Sequence, residues 1–272
     1  MTSLIPNISL NSIRFKLVIG LLCILIPLIG ILIYNNSYGI QVVHNQVALS
    51  NKNLISLYMA QIDSQLQDAD RNLIGLSVSD LKIRSMDTPG SEDEYQLAKH
   101  DISNRLTNDI ILYKSVDAFF VYSEARADLL DVFKTGVTYQ ERQQVEPFLL
   151  RYFAERSHSP EAAANGWFPV KLGEDFYLFR IIRSGGMYIG AWVNAKTLLT
   201  PLHLINLGEA GSALFVTNTG EPMVSTNPIP LDGVDLTMGF AQAYTTGIRD
   251  NLLIVGEASQ KGDFSLAAVI PN

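Results

Sequence analysis

The four histidines of this 272-residue chain, His44, His100, His158 and His203, are scattered, and none stands at metal-binding spacing from another histidine or from the single cysteine, Cys23. Three compact catalytic signatures are absent: H-E-x-x-H, G-x-S-x-G and the phosphate-cradling G-x-x-x-x-G-K-[ST]. Asp68 and Asp70 are two apart, so on a helix their carboxylates diverge and cannot share a substrate as an acid–base pair. Asp232 and Asp235 lie in a Gly- and Pro-bearing loop, where a plain turn accounts for them better than an ion site. No catalytic residue, metal site or cofactor is expected. Tyr122, Trp167 and Arg180 suit a different chemistry. Aromatic faces stack on flat apolar faces or sugar rings, and edge donors fix orientation. Each has a simpler account, since large aromatics usually serve packing. Arg180 is the hardest to explain away. Its alternation partners Phe176, Leu178 and Ile182 are apolar, so on a covered face its guanidinium needs a ligand or a counter-charge such as Asp131, unless it sits at an exposed edge.

What would hold these residues begins with an apolar run of 18 residues, Leu17 to Tyr34, without a charge. At about 1.5 Å per residue it matches the hydrocarbon thickness of a bilayer. Pro27 and Gly30 are tolerated in membrane helices. A cleaved signal would have a shorter apolar core and a small-x-small exit, and Ser37-x-Gly39 is a poor match. Lipid attachment at Cys23 is disfavoured because Leu22 precedes it. Arg14 and Lys16 stand before the run and no Lys or Arg follows until Lys52, which predicts a cytoplasmic N-terminus and an exported remainder at the cell membrane. Beyond residue 39 there are 18 basic and 27 acidic residues, and a charge of −9 argues against nucleic acid as a partner.

From Ile40 to about Leu76 the chain reads as one long helix, about 55 Å if straight. Ile62, Leu66, Ala69, Leu73 and Leu76 form a stripe spaced 4, 3, 4, 3, and Ile40, Val43 and Val47 keep the same rhythm upstream; Leu54 and Tyr58 continue it less strictly. Near the membrane the stripe fits a homodimer seam and a helix packed on its own domain equally; beyond Tyr58 the second reading is favoured. Thr88-Pro89-Gly90 breaks the helix, and Ser91-Glu92-Asp93-Glu94 caps a second one running to about Tyr113. The period then becomes two. VDAFFVYS and LLDVF form a hairpin, a helix covers Tyr139 to Arg156, and a loop follows from His158 to Gly166. DFYLFRIIR and MYIGAWVN turn at Ser184-Gly185-Gly186, and a helix from about Ala195 to Leu207 closes the module. The pattern repeats in smaller form. SALFVTNTGEPMVS is one hairpin and NLLIVGEASQKGDFSLAAVIPN another, turning at Gln260 to Asp263. The fold class is therefore α+β, two antiparallel-sheet modules with helices on one face. The longer insert of the first module makes it the expected place for a roomy pocket.

In their order, these features resemble the N-terminal part of membrane-bound sensor histidine kinases of Gram-positive bacteria, of the type paired with AraC-family response regulators. The resemblance covers essentially the whole chain. It rests on Ser12-Ile13-Arg14-Phe15-Lys16 before the Pro27-bearing span, the long helix, the strands FYLFRIIR and MYIGAWVN followed by the Ala195–Leu199 helix start, LFVTNTGEPMVST, and FSLAAVIPN. It implies a double Cache fold, two PAS-like modules on one long helix. The implied organisation is a cytoplasmic N-terminus (1–16), a transmembrane helix (17–34), a stalk helix (35–80), a membrane-distal module (81–207) and a membrane-proximal module (208–272). It also implies a homodimer, a small-molecule ligand or loaded solute-binding protein as extracellular partner, and a response regulator reached through a cytoplasmic region that these residues do not contain. No phosphotransfer is credited to the residues present. Amino-acid-binding Cache relatives carry Arg-x-Trp-Tyr before a pocket strand, and the nearest match is Asn165-Gly166-Trp167-Phe168. Asn165 replaces the carboxylate-gripping arginine, which tilts the expected ligand toward a sugar or other neutral solute. The ligand-binding candidates are thus Tyr122, Asn165, Trp167 and Arg180. The alternatives are the same sensor on a chemotaxis receptor, a cyclic-dinucleotide synthase or an AraC-type regulator, and, from other classes, an anchored envelope hydrolase or a structural partner protein.

Overall fold

Nothing between Ile13 and Ser79 interrupts the first helix, α1, which is 67 residues long and carries Pro27 within it. The structure, a computed structural model, describes residues 13–87, 90–156, 166–204, 207, 211–228, 236, 244–245 and 252–271. The chain divides into two compact units, residues 1–50 and 51–272. In the first, the leucines and isoleucines of the apolar run, from Leu17 to Ile33, are exposed. Among the described residues α1 is the one helix long and apolar enough to cross a membrane. A helix satisfies its backbone polar groups internally, so an apolar exterior of this kind suits hydrocarbon.

In the second unit α1 changes character. Ile55, Met59, Ile62, Leu66, Ala69, Leu73 and Leu76 repeat at 4, 3, 4, 3, 4, 3 and are all buried within the chain's own fold. The buried stripe continues upstream through Ile55 and Met59, one residue beyond Leu54 and Tyr58, which are only partly covered. After Asp80, which accepts a hydrogen bond from the Lys82 amide, the short α2 runs from Leu81 to Asp87. Helix α3, Glu92–Leu112, begins with a complete capping box. The Ser91 hydroxyl accepts from the Glu94 amide while the Glu94 carboxylate accepts from the Ser91 amide.

The first module is a five-stranded antiparallel sheet built from β1 (Ala118–Ser123), β2 (Asp128–Phe133), β3 (Phe168–Leu172), β4 (Asp175–Ser184) and β5 (Met187–Asn194), in the order β2-β1-β5-β4-β3. Helix α4, Tyr139–Arg156, packs Val145, Leu149, Tyr152 and Phe153 into one core with Phe120, Tyr122, Tyr177, Phe179, Tyr188 and Trp192. The second module repeats the arrangement with β6 (Ser212–Thr217), β7 (Pro222–Ser225), β8 (Tyr244–Thr245), β9 (Leu252–Ala258) and β10 (Phe264–Pro271), in the equivalent order β7-β6-β10-β9-β8. Between them lies α5, Ala195–Leu199, capped by the Asn194 side chain. The helix expected to reach Leu207 tightens instead into a 3-10 turn over Thr200–Leu204. Pro201 is the physical reason, because it offers no N–H to an α-helical bond.

Asp117 fixes the end of the first module. It is buried, and it accepts from the Asn194 amide at 2.8 Å and the Thr197 hydroxyl at 3.0 Å. Burial raises its pKa above the ordinary carboxylate value, although both hydrogen bonds favour the charged form. A raised folded-state pKa means that the folded chain holds the proton more tightly. Its contribution to stability is therefore greatest below about pH 4 and is lost as the pH rises through the raised value.

Two stability outcomes are expected from chemical denaturation. Leu66→Ala should lower the unfolding free energy by about 2–5 kcal/mol, whereas Leu57→Ala, at an exposed position, should change it by less than about 0.5 kcal/mol. Asp117→Ala should cost about 1–3 kcal/mol at neutral pH by orphaning two buried donors. Asp117→Asn keeps an acceptor oxygen, should cost less, and should remove the decline in stability expected of the wild type above about pH 4.

Candidate functional site

Of the four residues singled out from the sequence, two meet at one place. Trp167, just before β3, and Arg180, on β4, line a cleft of about 440 Å³ together with Asp70, Gly166 and the β9–β10 turn residues Ser259, Gln260, Lys261, Gly262 and Asp263. Arg180 lies on the sheet face opposite the aromatic core, because its neighbours Phe179 and Ile181 point into that core. Its counter-charge is Asp70 of α1, and Asp131 is not the partner. The two side chains retain only 12% and 27% exposure, so the pair is largely desolvated. Asp131 lies on β2 across the sheet, where burial raises its pKa.

The turn that forms the opposite wall is held from two directions. From α1, the buried Asp63 accepts from the Ser259 hydroxyl at 2.6 Å and from the Gln260 amide at 2.8 Å. The Ser259 oxygen in turn accepts from the Lys261 and Gly262 amides, both at 3.0 Å. From the first module, the Trp167 amide donates to the Lys261 carbonyl and the Asp263 amide to the Trp167 carbonyl, each at 2.8 Å, so that Trp167 and Gly262 form an isolated parallel bridge. Two glycines make that approach possible. A Cβ on Gly166 would lie 2.6 Å from the Lys261 carbonyl oxygen, and one on Gly262 2.5 Å from that of Trp167. Trp167 is 1% exposed, and its indole N–H finds no protein acceptor among the described residues.

Tyr122 sits elsewhere. It is buried in the first module's core, stacked on Phe153 with centroids 4.4 Å apart, and Phe153 stacks on Tyr188 at 4.8 Å. Burial pushes the Tyr188 hydroxyl up to about 12. Asn165 and most of the loop expected from His158 to Gly166 lie outside the described residues. The pocket expected inside the first module is occupied, among the described residues, by the rings between the sheet and α4. The cleft lies instead where that sheet meets the second module's turn. No group of three or more His, Cys, Asp or Glu among the described residues is placed to hold a metal ion.

Two solved structures share this architecture. One is the extracellular domain assigned to the histidine kinase rpHK1S-Z16, 12% identical, with a TM-score of 0.54 and coverage of 81% of this chain and 92% of that one. The other is the periplasmic sensory domain of the Campylobacter jejuni chemoreceptor Tlp1, 9% identical, with a TM-score of 0.51 and coverage of 83% and 96%. The fold is that of an extracellular sensory domain. No family model and no curated protein matches the sequence.

Residues of the cleft and its supports that sequence reasoning passed over are Asp70, Asp63 and the side chains of the β9–β10 turn. Asp70 was legible only as one of two diverging carboxylates, and it does diverge: Asp68 pairs with Arg71 while Asp70 turns to Arg180. Gln260 to Asp263 carried a turn signal and nothing more, since its second role depends on contacts with Trp167 and Asp63, both distant in sequence. Gly262→Ala should force the Trp167 bridge apart, costing about 1–3 kcal/mol. Hydrogen exchange should then show faster exchange at the Trp167 and Asp263 amides, while amides in the β1–β2 hairpin remain as protected as in the wild type.

Proposed function

We propose that the chain is the extracytoplasmic ligand-sensing region of a two-component sensor histidine kinase of the AraC-paired type. On this reading residues 17–34 cross the membrane and 35–80 form a stalk, and the modules at 81–207 and 208–272 face the outside. A small solute, sugar-like in character, or a binding protein loaded with one, engages the cleft. Binding shifts the stalk relative to that of a dimer partner. The observation that carries this reading is that one helix contains both the apolar segment and the carboxylates that grip the sensor, Asp63 on the second module's turn and Asp70 on Arg180 of the first. A ligand that alters either grip acts on the helix itself, and it does so only by its differential affinity for two arrangements. The fold supports the sensing role. Trp167 and Arg180 are the proposed contacts, and Tyr122 belongs to the supporting core.

A second reading keeps the same sensor and places it on a chemotaxis receptor. It is favoured by the likeness to the Tlp1 sensory domain. The continuation of the reading frame separates the two, through a phospho-accepting histidine and nucleotide-binding glycines or a signalling helix bundle.

Arg180→Ala and Trp167→Ala in the full chain, reconstituted in nanodiscs, should each weaken binding of a ligand found by thermal-shift screening at least tenfold, about 1.4 kcal/mol. Unchanged affinity in both variants removes this cleft from the sensing role.

A further inference from the structure

The wall of the cleft that faces Arg180 belongs to the other module. Asp70 and Arg180 supply one positive and one negative group from the first wall, and Lys261 and Asp263 supply one of each from the second, so the lining is polar with no net charge. Arg180 is already balanced by Asp70, and a ligand bearing a net charge would leave part of that balance uncompensated in a largely desolvated place. Among the described residues the Lys261 ammonium has no ion-pair partner, and the Asp263 carboxylate accepts only a 3.3 Å bond from the Asn218 amide group. Donors and acceptors are thus interleaved around a space of ordinary ligand size. Hydroxyl groups fit that pattern, because each can donate and accept at once.

We propose that the second module is a working wall of the ligand site, with Lys261 and Asp263 as specificity-determining residues, and that the ligand is a neutral polyhydroxylated solute of saccharide type. This rests on the reading that the Trp167–Arg180 cleft is the sensing site. The consequence is mechanical. A solute held by both walls ties the β9–β10 turn to β4, and the turn is fastened to α1 through Asp63. The module following α5 is then no spacer between the ligand and the membrane.

The test uses the full chain in nanodiscs and isothermal titration with glucose, xylose and maltose, and separately with glycine and glutamate. Lys261→Met, Asp263→Asn and Arg180→Ala are compared with Arg71→Met, an exposed substitution outside the cleft. The expected result is saccharide binding that falls at least tenfold in Lys261→Met and in Asp263→Asn, is unchanged in Arg71→Met, and occurs in variants with wild-type circular dichroism and thermal midpoints. Saccharide affinity lost in Arg180→Ala but kept in both turn variants overturns the second wall and leaves the sensing role standing. Binding of glycine or glutamate without any saccharide overturns the ligand class, as does the absence of saccharide binding altogether.

Discussion

The β9–β10 turn presents four successive backbone N–H groups, from Gln260 to Asp263, that no strand partner can satisfy, and the way they are satisfied organises the fold. One is taken by Asp63 of α1, two by the Ser259 hydroxyl that Asp63 itself orients, and one by the Trp167 carbonyl of the first module. Displacing the turn would break its hydrogen bonds to the helix, to the strand leading into β3, or to both. Helix, first sheet and second sheet therefore meet at one small loop, and the cleft beside it inherits walls from all three.

Charge follows the same logic. A half-buried carboxylate on a helix whose other face is apolar would be a poor choice for stability alone, since replacing such pairs by well-packed apolar groups is often neutral or better. Asp70 and Arg180 nevertheless fix a register, because a helix slid or rotated by one residue would bring Ala69 or Arg71 to the guanidinium. Ser184 donating to the Ser77 carbonyl at 3.0 Å, and the Gly186 amide donating to Asp87 at 3.0 Å, extend that register along the β4–β5 hairpin. The apolar stripe supplies the bulk of the adhesion between helix and domain, and the polar contacts decide which alignment is adopted.

How much of this was legible in the sequence divides by range. The α4 boundaries, the two hairpins of the first module and the Ser91 cap were readable because each depends on residues a few positions apart: a periodicity, a turn dipeptide, a hydroxyl three residues before a glutamate. The equivalence of the two modules was readable as a repeated order of hairpins, and the identical strand order bears out that pattern. The counter-charge of Arg180 was required by its apolar neighbours, but its identity was not, because Asp70 and Asp131 are both acidic residues on amphipathic elements and only the packing of α1 on the sheet chooses between them. The site's second wall was invisible for a stronger reason. Gly166 and Gly262 look like ordinary turn glycines, and their function is to let two backbones approach at a point 96 residues apart in the chain.

That distribution of information bears on how a signal could travel. The aromatic core of the first module lies with α4 on the face of the sheet turned away from Asp70, so the sheet separates that core from α1. The cleft is bordered by α1 directly, at Asp70, and by a turn that α1 holds at Asp63, about ten Å along the axis for seven residues of helix. A change in the separation of the cleft walls therefore loads α1 at two points about two turns apart on one face, one coupled to each module. Forces applied at two such points rotate or tilt a helix more readily than they stretch it, because stretching breaks its internal hydrogen bonds and reorientation does not. Under the proposed sensing role, reorientation of α1 is the change a ligand in this cleft would favour, and the same helix continues without a break into its apolar segment.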